Sequence, residues 1–268
     1  MVLYPQFERT ALDYFRRHDI RWWGGGNEPT LSPVSSQVAC VNHLEPARLD
    51  AAIGLAVVES VLPSAERVVA VEDGGYVAYE WIGEKNYLSE RGQTRGANRT
   101  SLDALMVAEA EDRLVLLLIE WKYTETYSQA KSLARSEGGT DRIAIYRPFL
   151  DRPDCPIRVA DDRFDRLFYG PLEQLMRQTL LGWQMVESGE LGADDWHHVL
   201  VVPGANADLL AKNPSPDLPG GSLGDAWSGV LEEPQRFSIR SPSKLLAGVN
   251  PSEQWRDWRE WLQTRYGT

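Results

Sequence analysis

Apolar positions along this chain follow a helical period at both ends and an alternating period in the middle. Residues 5–18 place Phe7, Leu12 and Phe15 at roughly helical spacing, which predicts an amphipathic N-terminal helix. Residues 21–30 follow as a loop with three consecutive glycines. They lack the GxxxxGK[ST] pattern and the strand–loop–helix setting of a phosphate cradle, so a plain loop is expected. A second helix is expected to open with Ser32 as N-cap and Pro33 at its first position. Pro46 should end or bend it, and a third helix should carry the chain to about Ser60, with Pro63 closing the unit.

From Arg67 the period changes. Residues 66–82 (ERVVAVEDGGYVAYEWI) read as two strands around the Asp73-Gly74-Gly75 turn. After a polar loop over 83–99, SLDALMVA (101–108) and LVLLLIEWK (114–122) flank a short polar connection and predict a hairpin. Helical spacing is expected again over 126–138. It is stronger over 171–187, where Leu172, Leu175, Met176, Thr179 and Trp183 share a face. WHHVLVVP (196–203) reads as a buried strand. The tail predicts a helix near 222–232, a strand at RFSIR, a helix opened by Ser241-Pro242 and a last helix from Pro251. The stretch 213–224 is the best linker candidate, but neither side has enough strands to stand alone, so one domain is expected over 1–268.

Composition narrows the class. With 43% hydrophobic and 10% aromatic residues in a chain of 268, a substantial core is expected. The N-terminus lacks a basic start followed by an apolar run, and the longest apolar run, Leu114 to Ile119, is too short to cross a bilayer. Cys40 and Cys155 are the only cysteines and have no CxxC spacing, so no disulfide framework or structural zinc is expected and a cytoplasmic location fits. The formal charge of −11 disfavours tight binding of a phosphate backbone, unless a local basic rim or a divalent cation inverts the field.

The candidate chemistry sits at the end of the hairpin. Six apolar residues, Leu114 to Ile119, run without alternation, as in a strand covered on both faces, and then pass into Glu120-Trp121-Lys122. Side-chain alternation sends Glu120 and Lys122 to one face and Trp121 to the other. If Ala110 to Arg113 form the connection, opposed residues have numbers summing to 223, and Asp103 lies across from Glu120. Two carboxylates at ~4 Å repel by about 4 kcal/mol at an effective dielectric near 20. A divalent cation removes that cost, and Mg²⁺ typically takes one or two carboxylates together with waters and phosphate oxygens. Lys122 is then placed to orient a nucleophile or offset transition-state charge, as phosphodiester hydrolysis requires. A plain same-face ion pair between Glu120 and Lys122 is the competing structural reading.

Asp103…Glu120-Trp121-Lys122 on a hairpin between helices resembles the PD-(D/E)xK nuclease superfamily. The flanking segments SSQVACVN (35–42), YEWIGEKNYLSERGQTRGANRTSLDAL (79–105), LLIEWKYTE (117–125) and QLMRQTLLGWQM (174–185) are similar to its restriction-endonuclease-like bacterial members. The likeness spans about residues 30–205, leaving a helical and strand extension over 206–268. It implies an α/β fold with a central mixed β-sheet flanked by helices, and Mg²⁺- or Mn²⁺-dependent cleavage of DNA. Asp103 and Glu120 would be metal ligands and Lys122 the catalytic lysine. Leu102 stands where the motif has proline, a position that varies in the superfamily.

Several further residues join this expectation. Glu80, on one strand face with Tyr76 and Ala78, is either a third metal-binding carboxylate or a solvated strand end. Glu45, Glu59 and Glu66 compete for the acidic position that the superfamily often carries on an earlier helix. Lys85, Arg91, Arg95 and Arg99 make loop 83–99 basic, and Arg91, Arg95 and Arg99 are candidates for binding substrate phosphates. Among Gln174, Arg177 and Gln178, the last is the candidate for positioning substrate or water. Tyr123, Glu125 and Tyr127 are expected to wall the site. His197 and His198, with no spaced carboxylate partner, read as structural. Trp255, Trp258 and Trp261 form a stripe that is either core or a stacking platform. A non-catalytic binding protein with the nuclease fold, and an assembly module built on the tryptophan-rich tail, are the rival readings. The number of copies in the active particle and the presence of a protein partner are left open by the sequence.

Overall fold

A computed structural model describes residues 2–268, apart from Gly25, Gln93, Ala97, Asn98, 128–131, 136–138 and Pro251. Three helices lead the chain: α1 (Glu8–Arg17), α2 (Ser36–Leu49) and α3 (Ala51–Glu59). Strands β1 (Ala65–Val69), β2 (Ala78–Trp81), β3 (Leu102–Ala110) and β4 (Arg113–Trp121) follow. Helices α4 (Arg142–Leu150) and α5 (Leu172–Glu187) precede β5 (Asp195–Val201) and the short helices α6 (Ala207–Leu210) and α7 (Leu223–Ser228). Strand β6 (Phe237–Arg240), α8 (Pro242–Leu245) and α9 (Arg256–Tyr266) complete the described elements.

The sheet is mixed, as expected. Its order is β1-β3-β4-β5-β6, with β2 also pairing with β3. The β1, β2 and β4 pairings with β3 are antiparallel; β4–β5 and β5–β6 are parallel. The hairpin register follows the predicted sum, from Ala110 opposite Arg113 to Ala104 opposite Ile119. Its two central residues, Glu111 and Asp112, have φ of 53° and 59°, the doubly left-handed backbone that a tight two-residue hairpin turn requires.

Leu117 and Ile119 of β4 enter a core with α1, α2, α3 and α9, while Leu116 and Leu118 enter a second core with α5 on the other face. This two-sided cover explains the unbroken apolar run. Trp255 and Trp258 are buried and Trp261 packs 5.3 Å from Tyr4, so the tryptophan stripe is core.

Several local expectations are corrected. Helix α2 is capped by Ser35 rather than Ser32: the Ser35 hydroxyl accepts from Val38 N at 3.3 Å, and the start from Ser35 puts Val38 and Val41 into the core. Pro46 does not end α2. Its missing N–H would leave the Asn42 carbonyl unpaired, and the Trp258 indole donates to that carbonyl at 2.8 Å. The break falls at Asp50, whose extended backbone and carboxylate cap α3.

Strands β1 and β2 do not form a hairpin around residues 73–75. They follow one another along the same edge of β3, whose nine residues have room for both. Of the helix expected over 126–138, residues 128–131 and 136–138 lie outside the described residues. Ser132 to Arg135 form isolated bridges to Tyr169 and Asp141 instead of a turn of helix. The helix in that region is α4, capped by Asp141, whose carboxylate accepts from Ala144 N at 3.2 Å.

Helix α5 meets the sheet at a position without a side chain. A Cβ on Gly182 would fall 2.2 Å from Leu118 Cδ1 and 3.1 Å from its Cγ, inside the packed core. Gly182→Ala should therefore cost roughly 1–3 kcal/mol despite a better helix propensity. Leu118→Val in the same chain should recover part of the loss, measured by urea denaturation of both variants.

Candidate active site

The functional side chains are placed by where β2, β3 and β4 end. Tyr79 lies opposite Ala104 and Trp81 opposite Leu102, which sets Glu80 against Asp103. Ala104 opposite Ile119 sets Asp103 against Glu120 on the other side. Three acidic residues thus occupy one row across three strands. Glu80 has a left-handed φ of 50°, uncommon for a residue with a side chain, and the ladder lapses at that position.

The row borders a cleft of about 500 Å³ whose walls include Glu80, Asp103, Lys122, Gln174, Arg99 and Gln37. Glu120 lies behind it, fully buried. One Glu120 oxygen, Oε1, touches the Lys122 ammonium but has no well-aligned hydrogen bond; the other, Oε2, accepts from Gln178 Nε2. Asp103 Oδ2 accepts from Trp121 N at 2.6 Å. Glu80 accepts from Gln37 Nε2 and from Ser101 Oγ, each at 2.8 Å. Lys122 Nζ also donates to Gln174 Oε1 at 2.7 Å.

Electrostatics follow from this crowding. Burial, then the charges of Glu120 and Glu80, push the Asp103 carboxyl well above the usual carboxylate range, against Lys122 and the Trp121 N–H. Burial also raises Glu80, with Ser101 and Gln37 opposing and Glu120 adding to the rise. Burial works against the Lys122 ammonium, but Glu120, Tyr127 and Asp103 outweigh it, so the amine stays charged.

The predicted residues separate into three groups. Asp103, Glu120, Lys122 and Glu80 are brought together. Arg99 lines the same cleft, its guanidinium donating to the Ile82 carbonyl at 3.1 Å and to the Lys85 carbonyl at 2.6 Å. Arg95 is turned away, ion-paired with Glu72 at 2.8 Å and donating to the carbonyls of Tyr79 and Glu80; Arg91 is exposed and is not part of the cleft wall.

Gln178 is fully buried, so it meets Glu120 and the Ser101 carbonyl rather than the cleft. Its own Oε1 accepts from His198 Nε2 at 3.2 Å, and Thr179 Oγ1 donates to His198 Nδ1 at 3.0 Å. Burial and the charge of His197 lower His198 to about 3, so the ring is neutral, as its structural role requires.

Of the polar α5 trio it is Gln174, not the favoured Gln178, that lines the cleft, and Gln37 and Ser101 are site groups that no sequence signal points to directly. Ser101 could have been found indirectly, because it is two residues before Asp103 on the same strand entry. Glu125 lines the cleft, as expected of a wall residue. Tyr123 instead packs on Tyr266, with ring centroids 5.4 Å apart. None of the acids proposed for an earlier helix reaches the cleft. Glu45 is paired with Arg48 at 2.6 Å, Glu59 borders a separate cleft and Glu66 is exposed on β1. Helix α2 contributes Ser36 and Gln37 instead.

The model of the REase-ARP family, described as a restriction endonuclease associating with ARP, matches residues 2–267. The chain belongs to that family. Membership implies a DNA nuclease, and therefore a hydrolase. No curated protein and no solved structure matches the chain. Among the described residues of this REase-ARP chain, no helix is long and apolar enough to cross a membrane. Cys40 and Cys155 are both buried and free.

Among the described residues, no three of His, Cys, Asp and Glu stand close enough to form a cage by themselves. Mg²⁺ does not need one, because it keeps waters and takes substrate oxygens beside one or two carboxylates. An all-oxygen donor set suits Mg²⁺ or Mn²⁺. The excess negative charge on the row and the unaligned Glu120 Oε1 fit such an ion.

Removing one charge from the row should stabilise the metal-free fold. Asp103→Asn keeps the acceptor for Trp121 N and should raise the Tm by a few degrees at pH 7.5, at about 2–4 °C for each kcal/mol. The folded carboxyl titrates above its ordinary 3.8, so the penalty in wild type grows as pH rises through that value. The difference between wild type and variant should therefore shrink near pH 4 in thermal melts; a lower Tm for the variant at pH 7.5 would contradict the electrostatic reading.

Proposed function

We propose that this REase-ARP chain hydrolyses DNA phosphodiester bonds in the cleft bordered by Asp103, Glu80 and Lys122, and that it needs Mg²⁺ or Mn²⁺ to do so. The observation that carries the reading is the row of three carboxylates with one lysine, gathered at the ends of three adjacent strands. Asp103 and Glu120 would hold the ion together with waters and substrate oxygens, and Glu80 would add its charge from the neighbouring strand. When bound, a divalent cation supplies Lewis-acid stabilisation of the phosphoryl group and a lowered barrier to deprotonating water.

The chain's own groups then have distinct tasks. The Lys122 ammonium, steered by Glu120 and Gln174, offsets charge that builds on the phosphoryl oxygens in the transition state. Arg99 is the basic residue best placed to bind a phosphate beside the scissile one. Arg91, exposed on the same loop, would meet the backbone farther out. Arg95 is engaged with Glu72, and its part is to hold the loop. Gln178 acts through Glu120, fixing that carboxylate with its amide N–H. A one-domain enzyme with its reacting groups on the β2–β4 ends fits a family match over nearly the whole chain. Defence against foreign DNA fits a restriction endonuclease, and a protein companion fits a family described as associating with ARP.

The test is cleavage of plasmid, linear and single-stranded DNA with Mg²⁺, with Mn²⁺ and with chelator. Wild type should cut only with metal, while Lys122→Ala, Glu120→Gln and Asp103→Asn should each lose about a hundredfold or more in rate. Mg²⁺ should raise the Tm of wild type and leave that of Asp103→Asn unchanged. Cleavage that persists in all three variants, or in chelator, would sink the assignment.

A further inference from the structure

Two exposed apolar side chains, Trp23 and Val34, stand among the mostly polar walls of the cleft. Among the described residues, five large apolar side chains are exposed, and three of them, Trp23, Leu31 and Val34, fall within one short segment. Trp23 is 69% exposed and lines the cleft together with Val34. Its neighbour Trp22 is fully buried and stacks on Phe15 at 3.9 Å, so one indole anchors the loop and the next is left outside it.

The backbone that carries the exposed ring is also held. Trp23 N donates to Gln37 Oε1 at 2.8 Å, and Gln37 Nε2 donates to the Arg21 carbonyl at 3.1 Å and to Glu80 Oε1 at 2.8 Å. One glutamine thus ties the backbone under Trp23 to a carboxylate of the proposed catalytic row. Packing explains none of the exposure of that indole. An aromatic face in the same cleft as Arg99 and Lys122 matches a nucleotide, whose phosphate meets cations while its base needs a π-surface.

We propose that Trp23, flanked by Val34, is a base-stacking subsite, so that the cleft takes DNA whose base next to the cleaved phosphate is unpaired, as in a single strand or a frayed end. A base inside a duplex has both faces covered by its neighbours and cannot stack on a side chain without leaving the helix. The inference rests on the nuclease reading above and adds to it the form of DNA accepted.

The experiment uses the full chain carrying Asp103→Asn, so that DNA is bound and not cut, with 2-aminopurine oligonucleotides in single-stranded and duplex form. Single strands should bind more tightly than duplex and quench the 2-aminopurine emission. Trp23→Ala should weaken single-strand binding about tenfold and abolish the quench, while Trp23→Phe retains most of both. With Asp103 intact, Trp23→Ala should raise KM on single strands by a similar factor and leave kcat within about twofold. The exposed ring carries little of the core, so unchanged melting of the variant is the control. DNA bound equally by wild type and Trp23→Ala would overturn the stacking subsite while leaving the nuclease reading intact. The same result with altered self-association of Trp23→Ala in size exclusion would assign the rim to a protein surface, and also overturns it. Failure of every form to bind DNA would overturn both readings.

Discussion

Like charges set side by side at the edge of a buried sheet must be given a reason to stay there, and the site is organised around that constraint. The two-residue turn at Glu111 and Asp112 fixes the β3–β4 register, and the register leaves no freedom about where Asp103 and Glu120 meet. A slip of β4 by one residue would turn Glu120, and the alternate leucines behind it, to the face opposite Asp103. The apolar packing on each side of β4 therefore protects the register, and through it the pairing of the acids. Pairing β2 along the same strand adds Glu80 to the row.

Behind the acids, the polar groups of α5 keep their orientation. Gln178 bridges Glu120 and the Ser101 carbonyl, and it is itself oriented by the neutral His198, whose other ring nitrogen accepts from Thr179. With the His198 N–H facing the amide oxygen, the amide N–H groups must face the carboxylate. Helix α5 can sit near enough to do this because Gly182 lets it rest on Leu118. A packing detail on one helix turn and a hydrogen-bond detail on the turn before it thus act on the same carboxylate.

Much of this was legible in the amino-acid sequence where a strong period or a tight register carried it. The hairpin, the covered β4 strand, the α5 helix and the Asp103–Glu120–Lys122 set follow from alternation and a fixed sum of residue numbers. What escaped depended on tertiary partners. Pro46 reads as a helix stop until Trp258 satisfies the carbonyl it frees. The β1–β2 turn reads as a hairpin until β3 offers both strands an edge. Gln178 reads as a group for positioning substrate or water until it proves to be buried against Glu120, and nothing in the spacing of α2 marks Gln37 as a partner of Glu80. Arg95 looks like its neighbour Arg99 in the sequence, yet Glu72, distant along the chain, removes it from the cleft.

A divalent cation joining Asp103 and Glu120 would take up the charge that Lys122 alone does not balance. Anomalous diffraction at the manganese edge from crystals grown with Mn²⁺ addresses this directly. A single strong peak is expected within coordination distance of the Asp103 and Glu120 carboxylates. A map with no peak there, and with Lys122 still closed on Glu120, would contradict it.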